Sequence, residues 1–227
     1  MNQPIPTIIA IDGPAASGKS TVGEKLAAEL GYLFFDTGVM YRAITWVALS
    51  RLHSVEDEPA ISQLANLVTI DVHPPSKQDG RQCDVLLDGQ DITWEIRSRK
   101  VEANVSQVSA YPAVRVAMTE QQRRIAQRGN VVMVGRDIGT VVCPKAGLKI
   151  FMIASVEVRA RRRLDELLQR GETGSYDAIL SAMRRRDKID STRAMAPLKV
   201  AEDAVVIDTN DLIIGQVLEK VRELLAA

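Results

Sequence analysis

The sequence has few cysteines, no net charge and no long apolar run, and each absence narrows the class of protein. Its two cysteines, Cys83 and Cys143, lie far apart and in no zinc-ligand spacing, so we expect reduced, non-catalytic thiols. Lysine plus arginine and aspartate plus glutamate both number 29, which leaves no global field that would attract nucleic acid or membrane. We expect no signal peptide, and no apolar run approaches the length of a membrane span. We therefore expect a soluble, cytoplasmic protein with no nucleic-acid or membrane partner, and nothing requires more than a monomer.

Short apolar runs alternate with helical patterns along the 227 residues. Buried strands are predicted at 7–12, 32–36, 131–137, 148–154 and 204–208. Helices are predicted at 19–30, 40–52, 101–126 with an interruption near Pro112, 156–169, 176–189 and 213–226. This alternation predicts an α/β fold in which a five-stranded parallel sheet has helices on both faces.

The middle of the chain follows a different pattern. Residues 68–73 and 83–89 alternate apolar and polar side chains and flank the turn-rich stretch "PPSKQDG", which predicts an antiparallel hairpin. We interpret 57–97 as a small inserted β-rich lobe. The main core then comprises 1–56 and 98–227.

The stretch "GPAASGKS" between the first predicted strand and helix matches the complete phosphate-loop motif G-x-x-x-x-G-K-[ST]. The expected ATP-phosphate contacts are Gly13, Pro14, Ala15, Ala16, Ser17, Gly18, Lys19, Ser20 and Thr21. Inward backbone N–H groups and the helix N-terminus favour an anion here, and Lys19 would reach the β- and γ-phosphates. Ser20 would ligate Mg²⁺. Asp36, after the second strand, either binds that ion through water or caps the next helix.

A phosphate loop alone does not name a reaction. The N-K-x-D motif of guanine-nucleotide switches is missing, while nine arginines fall between Arg159 and Arg193. This composition favours a small-molecule kinase over a nucleotide-dependent switch or an RNA-associated NTPase. A shikimate-type kinase fits the opening residues, but the β insert, the stretch "DTGVMYR" and the chain length argue against it.

Four further stretches together resemble bacterial cytidylate kinases. They are "DTGVMYR" (36–42), "VEANVSQVSAYPAVR" (101–115), "VGRDIGTVV" (134–142) and "RRRDKIDSTRAMAPL" (184–198). The resemblance extends from the phosphate loop to the last predicted strand. It implies transfer of the γ-phosphate of ATP to CMP or dCMP, with Mg²⁺. A preference for UMP stays open, although the β insert resembles that of the bacterial type, which favours cytosine.

The resemblance also implies which residues bind the acceptor. Thr37, where the family commonly has serine, and Arg42 would contact the acceptor nucleotide. Ser106 and Arg115 would read the cytosine base. Asp137 would hold the ribose hydroxyls.

A second set of residues is implied to bind phosphates. Arg136 would contact phosphate or base, and Arg186, Asp190 and Arg193 would gather the phosphates and the acceptor sugar. Their i, i+4, i+7 spacing would place the last three on one face of a helix that extended that far. Arg162 lies in the segment resembling a lid over ATP, about 157–193.

The chemistry of phosphoryl transfer agrees with an arginine-rich site. Its transition state spreads charge over phosphate oxygens, which planar guanidinium groups bind well. The expected catalytic residues are Lys19, Arg136, Arg186 and Arg193. The attacking phosphate oxygen is already anionic, so the reaction needs no histidine base, and the chain has only His53 and His73.

Overall fold

A five-stranded parallel sheet lies at the centre of the computed structural model, which describes residues 5–226. In chain order the strands are β1 (Ile8–Asp12), β2 (Leu33–Asp36), β3 (Ile70–His73), β4 (Asp84–Leu87), β5 (Gln90–Asp91), β6 (Val131–Gly135), β7 (Leu148–Ile153) and β8 (Val205–Asp208). The central sheet has the order β2-β6-β1-β7-β8, and all of its pairs are parallel. The predicted α/β class with five parallel strands is confirmed.

Eight helices connect and cover the strands in the described part of the chain. They are α1 (Lys19–Leu30), α2 (Gly38–Arg51), α3 (Glu58–Leu67), α4 (Arg99–Val108), α5 (Pro112–Ala126), α6 (Val156–Gln169), α7 (Tyr176–Thr192) and α8 (Ile214–Ala226). The helix α1 has the predicted bounds and ends at Gly31, whose φ of 67° suits a glycine C-cap. Pro112 occupies the first position of α5, as its fixed φ favours.

The two faces of the sheet bury separate apolar clusters. In β1, Ile9 and Ile11 point to the face covered by α1 and α8, whereas Ala10 points to the face covered by α2 and α5. This alternation follows from the two-residue period of a strand. Because both faces are covered, all three side chains are fully buried, which explains why β1 is continuously apolar.

The inserted lobe contains a small antiparallel sheet in the order β3-β4-β5, together with a helix that the sequence prediction did not include. Asp57 begins α3 by accepting a hydrogen bond from the Ala60 N–H at 3.0 Å, and Pro59 stands in its first turn. Ile61 and Ala65, one helical turn apart, are its buried positions. The lobe is therefore a mixed α/β unit rather than an all-β one.

The lobe shares its hydrophobic core with the rest of the molecule. Ile61, Ile70 and Ile92 from the lobe belong to the same buried cluster as Phe35 and Ile44 from the main core. Within this cluster, α3 and β3 pack against α5, and β4 packs against α2. The lobe thus holds a fixed position beside α2 and α5.

The strand β1 lies between β6 and β7, so its carboxyl end marks the middle of one edge of the sheet. Ligands of such sheets bind beyond this edge. Among residues 5–226, no helix is long and apolar enough to cross a membrane.

Candidate active site

Residues 13–20 form a tight loop between the end of β1 and the start of α1, as the motif predicts. Gly13 has a φ of 151°, and a Cβ atom there would lie 2.2 Å from the carbonyl oxygen of Met152 in β7. Gly18, with a φ of 91°, occupies the N-cap of α1, where no side chain satisfies the first N–H groups of the helix. The loop therefore presses against the sheet and leaves backbone donors available to an anion.

Lys19 is buried at the start of α1, and its Nζ donates to the carbonyl oxygen of Pro14 at 2.7 Å. Within the described chain, no carboxylate lies within 4 Å of this ammonium group. Burial, followed by the nearby charge of Arg136, lowers the pKa of Lys19 well below its usual range. A phosphate group at the loop would supply the missing counter-charge.

Ser20 and Asp36 bring two oxygen ligands together beside the loop. The Ser20 hydroxyl donates to Asp36 Oδ2 at 2.9 Å, while Asp36 Oδ1 accepts from the N–H of Gly38 at 3.0 Å. Asp36 thus accepts from the first residue of α2 with one oxygen, and its second oxygen remains at the loop. Hydroxyl and carboxylate oxygens suit Mg²⁺, which completes its shell with phosphates and water.

Arg162 reaches the phosphate loop through a threonine that follows β8. Its Nη1 donates to the Thr209 hydroxyl at 3.2 Å, and its Nη2 donates to the Thr209 carbonyl oxygen. The Thr209 hydroxyl oxygen also lies 3.2 Å from the carbonyl oxygen of Ser17. Arg162 therefore joins α6 to the far side of the loop.

Arg159 contacts the loop directly, and sequence reasoning did not single it out among the arginines of α6. Its Nη1 donates to the carbonyl oxygen of Ala15 at 3.1 Å, and its guanidinium pairs with Asp187 of α7. Its position in the sequence could have indicated this contact, because Arg159 lies in the first turn of the helix that follows β7, and β7 is the neighbour of β1.

Five of the residues predicted to bind the acceptor form one chain of alternating charges. In spatial order its members are Arg115, Asp137, Arg193, Asp190 and Arg136, here called the acceptor-side charge chain. The successive nitrogen–oxygen distances are 2.7, 3.4, 3.6 and 2.9 Å. These residues come from α5, the turn after β6 and the end of α7, so tertiary folding brings the three segments together.

The end of α7 sets the geometry of two members of this chain. The helix includes Arg186 and Asp190 but ends at Thr192, so Arg193 already has extended backbone angles. Its side chain nevertheless turns back toward Asp190, and its Nε donates to the carbonyl oxygen of Ala196 at 2.7 Å. The helix therefore does not extend to Arg193, and the expected common helical face includes only Arg186 and Asp190.

Two donors near this chain are buried without a partner in the described structure. Arg115 donates from Nη1 to the carbonyl oxygen of Ser109 and from Nη2 to Asp137, but its Nε has no acceptor. The Nε2 group of Gln122, on the same helix, is also unpartnered. Buried donors of this kind are costly unless a ligand or water satisfies them.

Cationic side chains converge between the phosphate loop and the acceptor-side charge chain. Burial and the charge of Arg136 lower the pKa of Arg186, and Arg136 and Arg186 in turn lower the pKa of Lys19. Arg42, from α2, also acts on Arg186 and is paired with Glu102 of α4. Like charges held this close favour a bound anion.

The two predicted hydroxyl contacts differ in their surroundings. Thr37 is buried at the start of α2, and its hydroxyl donates to the carbonyl oxygen of Val134 in β6 at 3.0 Å. It can therefore only accept a further hydrogen bond. Ser106 is half-buried on α4, one helical turn after Glu102, so it points to the same side as the Arg42 pair.

Asp12 is a buried carboxylate that sequence reasoning missed. It accepts hydrogen bonds from the N–H groups of Ile138 at 2.9 Å and Gly139 at 2.8 Å, which fixes the turn after Asp137. Burial outweighs these bonds and raises its pKa to about 6. The sequence feature that could have identified it is a charged residue at the end of an otherwise apolar strand.

Comparison with known proteins gives a consistent match over most of the chain. The family model described as "Cytidylate kinase" matches residues 9–227. A cytidylate kinase of Herpetosiphon aurantiacus is 51% identical over 205 residues, covering 90% of this chain and 88% of the relative. One of Roseiflexus castenholzii is 53% identical over 186 residues, covering 82% and 80%.

Among solved structures, an uncharacterized protein from Eubacterium ventriosum has a similar fold. Its TM-score is 0.51 at 12% sequence identity, with 96% of this chain and 97% of that chain covered. This likeness concerns the fold alone. The phosphate loop, the five-stranded sheet and the extent of the sequence match lead to one assignment, and the chain belongs to the cytidylate kinase family.

Proposed function

We propose that this chain transfers the γ-phosphate of ATP to CMP or dCMP, giving ADP and CDP or dCDP. The observation that carries the proposal is the pairing of two anion-binding regions at one edge of the sheet. The phosphate loop with Lys19 forms one region, and the acceptor-side charge chain forms the other. Arg136, a member of that chain, and Arg186 lie near enough to the loop to lower the pKa of Lys19. Such an arrangement suits two nucleotides that meet phosphate to phosphate.

The phosphate loop would bind the donor nucleotide. Backbone N–H groups at the start of α1 would hold the β- and γ-phosphates, and Lys19 would exchange its bond to the Pro14 carbonyl for a phosphate oxygen. The arriving negative charge would raise the pKa of Lys19 again and keep the ammonium protonated. Arg159 and Arg162 would hold α6 beside the loop.

Ser20 and Asp36 would hold the magnesium ion that accompanies ATP. Their oxygens already lie 2.9 Å apart at the helix end of the loop. When bound, the ion neutralises phosphate charge in phosphoryl transfer.

The acceptor-side charge chain would orient the nucleoside monophosphate. Arg42, Arg136 and Arg186 supply cations for its phosphate, and Asp137 supplies a carboxylate for its ribose hydroxyls. Ser106 and the unpartnered Nε of Arg115 are suited to an oxygen or nitrogen of the cytosine base.

The chemical step needs alignment and charge neutralisation rather than a base. An anionic oxygen of the CMP phosphate forms a bond to the γ-phosphorus, and the bond from that phosphorus to the bridging oxygen of ADP breaks. Lys19, Arg136, Arg186 and Arg193 stabilise the charge that spreads over the transferred group.

An acceptor panel tests the proposal. Purified protein with Mg²⁺–ATP is offered CMP, dCMP, UMP, AMP, GMP, TMP and shikimate, and ADP release is measured. We expect rapid turnover with CMP and dCMP and little with the others. Lys19→Met serves as the inactive control, with a kcat at least about a hundredfold lower and a native circular dichroism spectrum. Turnover with UMP equal to that with CMP would remove the cytosine assignment, and turnover with none would leave only nucleotide binding.

A further inference from the structure

Glu102 places a carboxylate at the acceptor side of the cleft that no step of the transfer uses. It lies in the first turn of α4, which packs along α2, and its Oε2 pairs with Arg42 Nη2. Arg42 is one of the cations available to the acceptor's phosphate. The two groups would therefore compete for the same guanidinium.

The surroundings of Glu102 are those of an anion site. Burial opposes its charge, yet Arg42 and, further away, Arg186 and Arg163 hold the pKa of Glu102 below its usual value. Its carboxylate thus lies where cations from α2, α6 and α7 are directed. A phosphate monoester bound near Arg42 would enter this same field.

Glu102 can break its ion pair more easily than the other carboxylates of the site. Asp137 contacts Arg115 and Arg193, and Asp190 contacts Arg136 and Arg193, all of them largely buried. The side chain of Glu102 is 48% exposed and has one ion-pair partner among the described residues. Because it is long and solvated, it can release Arg42 without leaving a buried charge unpaired.

We propose that Glu102 is a built-in competitor of the acceptor's phosphate group, and this rests on the function proposed above. It occupies Arg42 while the acceptor site is empty, and the incoming phosphate, with its higher charge and additional oxygen atoms, displaces it. Glu102 thereby weakens acceptor binding and sets the concentration range in which the enzyme responds.

Kinetics of Glu102→Gln and Glu102→Ala test the proposal. We expect the KM for CMP to fall about two- to fivefold in both, the range typical of a solvated ion pair, with the KM for ATP unchanged. Glu29→Gln is the matched control, since Glu29 forms an exposed pair with Arg222 at 2.7 Å between α1 and α8. An unchanged or higher KM for CMP would overturn the proposal and make Glu102 a residue that orients Arg42.

Direct anion binding separates this proposal from the proposed function. Inorganic phosphate is titrated by calorimetry into wild type, Glu102→Gln, Arg42→Gln and the double variant, with ADP present to fill the phosphate loop. We expect Glu102→Gln to bind phosphate about two- to fivefold more tightly than wild type, and this gain to vanish in the Arg42→Gln background. A gain that persists without Arg42, or no gain, would overturn the proposal. A wild type that binds phosphate in this way but does not turn over CMP would instead overturn the proposed function.

Discussion

At the residue scale, the most consequential side chain on the acceptor side is Asp137. It contacts both Arg115 and Arg193 from a buried position, so one carboxylate balances two guanidinium groups. Removal of this charge leaves the two arginines facing each other in a poorly solvated space. Asp137 therefore has a structural effect as well as the proposed contact to ribose.

Asp137→Asn is expected to lower stability and acceptor use together. Breaking a buried ion pair from one side costs about 3 kcal/mol of unfolding free energy, measured by urea denaturation. The KM for CMP should rise at least tenfold while the KM for ATP changes little. Asp88→Asn is the control, because the Asp88–Arg51 pair is exposed and 3.9 Å long. Equal losses for the two nucleotides would place Asp137 outside the acceptor site.

We expect Asp12 to make the free energy of unfolding depend on pH, with a sign that follows from its raised pKa. Its pKa is raised from 3.8 to about 6, so the folded state favours the neutral carboxyl. The charges that face it are those of Asp137, which adds to the rise, and Lys19, which opposes it. The resulting stabilisation is fully present below pH 3.8 and is lost as the pH rises through about 6, a change of about 3 kcal/mol.

Comparison of wild type with Asp12→Asn isolates this contribution. We expect the wild type to lose about 2 to 3 kcal/mol of unfolding free energy relative to the variant between pH 4 and pH 7. Urea denaturation at several pH values measures the difference, in which the other titrating groups cancel. A difference that stays constant with pH would show that Asp12 keeps an ordinary pKa.

At the element scale, α6 and α7 form a helical hairpin, and α6 contacts the phosphate loop directly through Arg159 and indirectly through Arg162 and Thr209. Arg159 joins the Ala15 carbonyl to Asp187, and thus connects the loop with both helices. On the outer surface, Arg184 and Glu157 join the same helices without contact to the loop. We expect the loss of these two contacts to have different effects on ATP binding.

Asp187→Asn is expected to loosen the hairpin and weaken donor binding. Loss of the Arg159 pair should raise the KM for ATP by up to about fivefold and speed amide exchange in α6 and α7. In wild type, ATP with CMP should slow exchange in these helices by closing them over the loop. Arg184→Gln controls for loss of a pair elsewhere in the hairpin. If both variants raised the KM for ATP equally, the tie to the loop would have no special role.

The sequence predicted most elements because local signals set them. Apolar runs predicted the five strands of the central sheet, and the Gly18–Lys19 pair and Gly31 bounded α1. The helix α3 was missed since its ten residues follow short turn-like segments and lead into a hairpin pattern. Its cap, Asp57 with Pro59, was the available signal.

The charge contacts of the site were less accessible to sequence reasoning. The residues of the acceptor-side charge chain were named from motifs, but three of their four pairings join separate segments, and Arg136 lies 54 positions from Asp190. Which arginine of α6 touches the loop depends on the rotation of that helix against β7. Such distances follow from tertiary packing, and no local pattern encodes them.

At the scale of the whole molecule, the lobe at 57–97 shares its hydrophobic core with the rest of the chain. Ile92 from the lobe and Ile44 from α2 belong to one buried cluster, and Gln82 of the lobe bonds to Glu24 of α1 at 2.6 Å. Units that share a core unfold together.

We therefore expect the lobe and the main core to unfold in a single transition. The chain's two tryptophans report on the two parts, since Trp94 lies in the lobe and Trp46 in α2. Trp46→Phe and Trp94→Phe each leave one fluorescent reporter, which is followed in urea beside far-ultraviolet circular dichroism. Coincident midpoints are expected, and an earlier Trp94 transition would show that the lobe is a separate folding unit.

The shared core also limits how the insert can be exchanged among relatives. A chimera that swaps only the inserted segment would join lobe side chains from one parent to α2 and α5 surfaces from another, and would create cavities or overlaps in the common cluster. Productive crossover points should therefore lie outside α2 and α5, so that the insert is inherited together with the two helices that support it.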